Sequence, residues 1–119
     1  MANELTVTAG LSYSNGGVSL GSKTNSDQVT VGANYVLHQI HTVTTVGEAL
    51  PLGSIVTPGY CWIRNTDGAN FIQVGNSGDT PVIRVEAGEI AAFRFSQAIV
   101  PAAIADTGDV VVELIIVSD

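Results

Sequence analysis

Between residues 4 and 13, Leu5, Val7, Ala9, Leu11 and Tyr13 alternate with Glu4, Thr6, Thr8 and Ser12. A period of two places the two sets on opposite faces of an extended chain, so a half-buried strand is expected here. Asn15-Gly16-Gly17 offers a turn with positive φ, and residues 18–28 are so rich in Ser, Gly and Asn that they bury little. An extended arm, a loose hairpin and a packed strand all remain open for them. Alternation resumes at Val29, Val31 and Ala33, and the β-branched span from Tyr35 to Val46 predicts a further strand, the two parted near Gly32 to Asn34. Pro51, Gly53, Pro58 and Gly59 punctuate residues 47–59, which read as a loop with at most one helical turn at Glu48 to Leu50.

Residues 60–75 give the sharpest local prediction. Asp67-Gly68 between two apolar runs is a type I′ hairpin signal. Such a turn would oppose Ile63 to Ile72 and Cys61 to Val74 on a core side. Arg64 would then face Phe71, and Trp62 would face Gln73, on a side that is either partly exposed or an interface. After Pro81, residues 82–86 read as a strand, Ala87-Gly88-Glu89 as a turn, and Ile90 to Ser96 as a strand with Ala91, Phe93 and Phe95 on one face. Residues 98–107, with Pro101 and several alanines, fit a crossing between sheets. Val110 to Val117 is apolar on both faces apart from Glu113, the mark of a central strand or of one covered by a second subunit.

About eight strands spaced near ten residues apart, with turn signals between them and no long helix, predict an all-β fold. The expected architecture is an antiparallel β-sandwich or jelly roll. It would be one domain, with residues 1–28 as an amino-terminal strand or arm and 29–119 as the core. Composition agrees: 16 Val, 10 Ile and 11 Thr favour pleated sheet in a chain of 119 residues. Only 13% of residues are charged, against about 25% in an average soluble protein, so Ser, Thr, Asn and Gly must coat the surface. With 11 acidic residues against 4 basic ones, and Lys23 the only lysine, the net charge of −7 argues against nucleic acid as a partner. The start lacks the basic region of a signal peptide, and the most apolar stretch falls well short of the ~20 residues of a membrane span. A soluble protein without a membrane partner is expected.

The chemistry-bearing residues are few. Cys61, the single cysteine, lies in an apolar run and reads as a small core residue, so no intrachain disulfide is available. His38 and His41, three apart in a strand, point to opposite faces and cannot share a metal. Glu86 and Glu89 flank a turn, and Asp106 and Asp109 around Gly108 lack the ligand density of a calcium loop. No catalytic residue, metal or cofactor is therefore expected. Trp62, Phe71, Tyr60 and Tyr35 are candidates for a sugar-stacking platform, with core packing as the commoner use of such rings. Arg64, Arg84 and Arg94 sit on strands among apolar residues, as inter-subunit ion-pair donors do, or as solvated arginines with packed stems.

A further signal is a texture covering nearly the whole chain: Met1-Ala2-Asn3-Glu4-Leu5-Thr6-Val7, then Gly47-Glu48-Ala49-Leu50-Pro51-Leu52-Gly53 and Thr57-Pro58-Gly59-Tyr60. It continues through Arg64-Asn65, Asn70-Phe71-Ile72-Gln73-Val74-Gly75 and Val85-Glu86-Ala87-Gly88-Glu89 to a short hydrophobic final strand. In these features the sequence resembles small proteins encoded among the structural genes of tailed bacteriophages. The resemblance implies a virion component of the size of capsid decoration (cement) proteins, which are β-sandwich or jelly-roll trimers on the shell. The implied partners are the major capsid protein and further copies of the chain, most simply in a homotrimer. The implied location is the capsid surface, after synthesis in the bacterial host cytoplasm; tail or neck placement stays open. Contact residues expected on this basis are Leu5, Val7, Trp62, Arg64, Phe71, Arg94, Val111 and Ile115.

Overall fold

The computed structural model describes residues 5–32, 34–96 and 98–119; Glu4 and Ala33, assigned faces above, lie outside them. The fold is all-β, with ten strands in antiparallel sheets, and among the described residues there is no helix, hence none long and apolar enough to cross a membrane. The chain divides into two compact units, Met1–Gly32 and Ala33–Asp119.

The first unit contains a two-stranded ribbon of β1 (Leu5–Asn15) and β2 (Val18–Val29). Gly16 and Gly17, at φ 56° and 83°, close it between Asn15 and Val18, the backbone a type I′ turn demands. Of the options left open for residues 18–28, the hairpin is the one adopted. The expectation of a half-buried first strand does not hold: Leu5 and Val7 are half-buried, but Leu11 and Tyr13 are 68% and 49% exposed. The alternation is real, yet a ribbon of two strands has no second layer of its own to cover its apolar side.

The second unit is an eight-stranded sandwich. Its strands are β3 (Val36–Val43), β4 (Glu48–Ala49), β5 (Pro58–Asn65), β6 (Ile72–Asn76), β7 (Ile83–Val85), β8 (Ile90–Arg94), β9 (Pro101–Ala105) and β10 (Val110–Ser118). One sheet has the order β3-β10-β5-β8 and the other β4-β9-β6-β7. Successive strands change sheet at every step except β6 to β7, which is the winding of a jelly roll. Glu48 and Ala49 therefore pair with Ala103 and Ala102 as a short edge strand, where the sequence allowed a helical turn.

The core lies between the sheets. Val112, Leu114 and Ile116 of β10, Cys61 and Ile63 of β5, Ile72 and Val74 of β6 and Val85 of β7 are almost wholly excluded from solvent. The final strand is a central one: β10 is flanked by β3 and β5, and its even-numbered residues are buried. Ala91, Phe93 and Phe95 turn inward together as their alternation predicts, with the two phenylalanine rings edge to face at 5.2 Å.

The hairpin predicted over residues 60–75 is not formed. β5 pairs with β10 and β8, and β6 with β9 and β7, so Ile63 and Ile72 enter one core from opposite sheets instead of pairing along a ribbon. The reason lies in Asn65, which is fully buried. Its Nδ2 donates to the carbonyls of Asn70 (2.9 Å) and Val85 (3.2 Å), and its Oδ1 accepts from the Asp67 amide at 2.8 Å. The Asp67 carboxylate then accepts from the amides of Ala69 and Asn70. These side-chain bonds replace the backbone pairing of a tight hairpin and carry the chain from one sheet to the other. Gly68 stays out of the positive-φ region that a type I′ turn requires.

Candidate functional site

The outer face of the β3-β10-β5-β8 sheet is built by strand alternation alone. Wherever the even residues of β10 enter the core, the odd ones point out, and the registers with β3 and β5 fix their neighbours. One row across the sheet reads Ile40, Glu113, Arg64, Ile90; the next reads His38, Ile115, Trp62, Ala92. Val36 pairs with Val117, and Tyr60 with Arg94, in a third. Val36 and Ile40 are each 65% exposed, Ile90 63% and Val111 42%. This is a broad apolar surface with a few charges set into it.

Those charges are unequally engaged. His38 Nε2 lies 2.8 Å from Glu113 Oε2, and Arg94 donates to Asp119 Oδ1 at 2.9 Å while its guanidinium covers the Tyr60 ring at 4.6 Å. The Asp119 hydrogen bond is the main reason that the Arg94 pKa rises further above its ordinary value. Arg64 sits directly across from Glu113 on the neighbouring strand, is exposed, and makes no ion pair among the described residues.

Five residues singled out from the sequence therefore share this face: Trp62, Arg64, Arg94, Val111 and Ile115. Phe71 does not share it. The predicted opposition of Arg64 and Phe71 fails with the hairpin; Phe71 immediately precedes β6, in the other sheet, and its ring is covered by the Arg84 guanidinium at 3.7 Å. Arg84 is also paired with Glu86 at 2.8 Å. A platform joining Trp62 and Phe71 is accordingly not assembled. Leu5 and Val7 belong to the amino-terminal ribbon. Val36, Ile40 and Ile90, absent from the sequence-based set, are the most exposed of the large apolar side chains on the face. Their signal was available in the outward phase of strands whose inward residues are apolar.

The other sheet bears an open groove of about 390 Å³ on its outer side, floored by Gln73, Gly75 and Ile104 and walled by Glu48, Asn76 and Pro81. Asn76 Nδ2 donates to Asp79, and Glu48 accepts from Thr44. The buried Cys61 thiol is pushed up to about 12 by desolvation, which keeps it protonated and unreactive at neutral pH. Among the described residues, no three of His, Cys, Asp and Glu are grouped to hold a metal. Comparison with protein families, curated proteins and solved structures finds no match to the chain.

Proposed function

We propose that this protein is a non-catalytic structural component of a tailed-phage virion, a capsid decoration protein that binds the major capsid protein and bridges neighbouring shell subunits. The observation that carries this reading is the outer face of the β3-β10-β5-β8 sheet, where Val36, Ile40, Ile90 and Val111 are exposed around Glu113 and Arg64, a mixture that protein partners cover. The resemblance to phage structural proteins is what suggests the partner and the place, on the capsid surface. The sandwich supports the reading because its core closes by packing, with its lone cysteine free. Association of copies, a trimer on the resemblance, would multiply weak contacts with a repeating shell.

The direct test is co-sedimentation of purified protein with undecorated shells of its own phage. Saturable binding at many equivalent positions is expected. A protein that stays in the supernatant and is monomeric by light scattering would refute the proposal.

The groove of the second sheet supports an alternative, a receptor-binding module of the tail or neck. Its amide and carboxylate groups, Gln73, Asn76 and Glu48, are of the type that bonds sugar hydroxyls. Retention on a glycan array, lost on Gln73→Ala, would favour that reading; a blank array would dismiss it.

A further inference from the structure

We infer that the outer face of the β3-β10-β5-β8 sheet is the contact surface for a second copy of this chain, packed face to face about a two-fold axis. The axis runs parallel to the strands, midway between β10 and β5. The inference is independent of shell binding and rests on the order of residues across the sheet.

A two-fold axis of this kind leaves positions along the strands unchanged and exchanges β10 with β5 and β3 with β8. The row Ile40, Glu113, Arg64, Ile90 is then laid on its own reverse. Ile40 meets Ile90 of the second copy at both ends, and Glu113 meets Arg64 twice, once on each side of the axis. In the next row Ile115 lies over Trp62 of the other copy, again twice. In the two central columns apolar residues thus meet apolar ones and the acid meets the base, the self-complementarity that an isologous interface demands, while at the rim His38 meets Ala92 and Val36 meets Arg94. Within one copy Glu113 is taken by His38, which leaves Arg64 with an exposed charge and no ion pair among the described residues. The second copy's Glu113, whose Oε2 is held by its own His38, offers Arg64 its other carboxylate oxygen.

The dimensions fit. Packed sheets stand about 10 Å apart with strands roughly aligned, a gap that Arg and Glu side chains reach across from the two sides. Four strands about 4.8 Å apart and six residues of length give a projected footprint of about 400 Å² per copy. Two such footprints project to about 800 Å² in total, and the accessible area of a corrugated surface exceeds its projection, so the contact belongs with small, weak associations.

The test uses charge reversal on the full chain, with Arg64→Glu and Glu113→Arg examined separately and mixed, by size-exclusion chromatography with light scattering. Wild-type protein is expected as an even-numbered species, a dimer, or a hexamer if the three-fold association also holds. Each variant alone sets like charges together on both sides of the axis, and its two-fold contact is expected to weaken at least tenfold. In an equimolar mixture the acidic side chain introduced at 64 meets the basic one introduced at 113, while the native Glu113 meets the native Arg64, so association returns. No rearrangement within a single chain can mimic that rescue. A second measurement needs no variant: Trp62, the only tryptophan, lies in the contact, and its emission is expected to shift to the red as wild-type protein is diluted. A wild-type monomer or trimer, a mixture that stays apart, or Trp62 emission that stays constant while light scattering shows the species dissociating would each overturn the inference. A monomer that binds shells and loses them on Arg64→Glu would give the face to the capsid protein, overturning the inference while sustaining the proposed function.

Discussion

Replacing Asn65 with alanine removes a fully buried polar side chain that joins the two sheets. Three hydrogen bonds go with it, to the Asn70 carbonyl, the Val85 carbonyl and the Asp67 amide, at 2.9, 3.2 and 2.8 Å. The residue's backbone also holds the turn before β8, accepting from Gly88 and donating to Glu89, and those bonds survive the substitution. At about 1 kcal/mol for each lost bond, the expected destabilisation is about 3 kcal/mol. Water entering beside Asn70 and Asp67, which are only half-buried, would reduce it. For a cooperative unit of this size that corresponds to a fall in Tm of roughly 10–25 °C. Urea unfolding followed by far-UV circular dichroism is the assay, with a lower midpoint at unchanged slope as the expected result. Asn65→Asp sharpens the test, because the aspartate oxygen that replaces Nδ2 would face two carbonyl oxygens. Burial and that repulsion raise its folded pKa, so this variant should lose further stability as the pH rises through that value. A loss below about 0.5 kcal/mol in the alanine variant, with aspartate equally tolerated, would refute the role given to Asn65.

The same residue shows where the sequence stops being legible. Asp67-Gly68 between apolar runs is a local hairpin signal, but what decides the connection is whether Asn65, eight residues from Gln73, finds partners on β7 and in the loop. Those partners exist only once both sheets are formed. The inward set, Cys61, Ile63, Ile72 and Val74, is right because alternation alone fixes which side of a strand is apolar; which strand pairs with which is non-local information. Alternation likewise located the inward side of β8, whereas apolar residues on both faces of β10 left a central strand and one covered by a second subunit both open. It misled at Leu11 and Tyr13, since it marks an apolar side without saying whether anything covers it. Arg64, Trp62 and Ile115 were singled out one by one; their adjacency required the β10–β5 register.

Four further outcomes are expected. The Asp67 pKa is lowered, chiefly by the Asn70 and Ala69 amides, so its stabilising contribution is complete above the unfolded carboxylate value and fades as the pH falls through the lower folded one. Asp67→Asn, which keeps an acceptor oxygen, should flatten that part of the acid limb in pH-dependent denaturation; an unchanged limb would contradict it. Cys61 should resist thiol reagents at pH 8 and react only at the rate of unfolding, and rapid labelling of folded protein would contradict its burial. Gly75→Ala brings a Cβ within 2.9 Å of Pro81 Cα, backbone that cannot simply swing aside, and should cost about 1–3 kcal/mol by denaturant titration. Arg94→Gln removes a partly exposed pair with Asp119 and should change stability by less than about 1 kcal/mol; a larger loss would show that the pair holds the final strand in place.

The proposed role on a capsid shell is tested by counting the protein in particles. Quantitative mass spectrometry of purified particles, calibrated on the major capsid protein, is expected to find copies in proportion to the shell lattice, in the hundreds. A count of a few to some tens would assign the protein to the tail or neck, and absence from particles would contradict a structural role in the virion altogether.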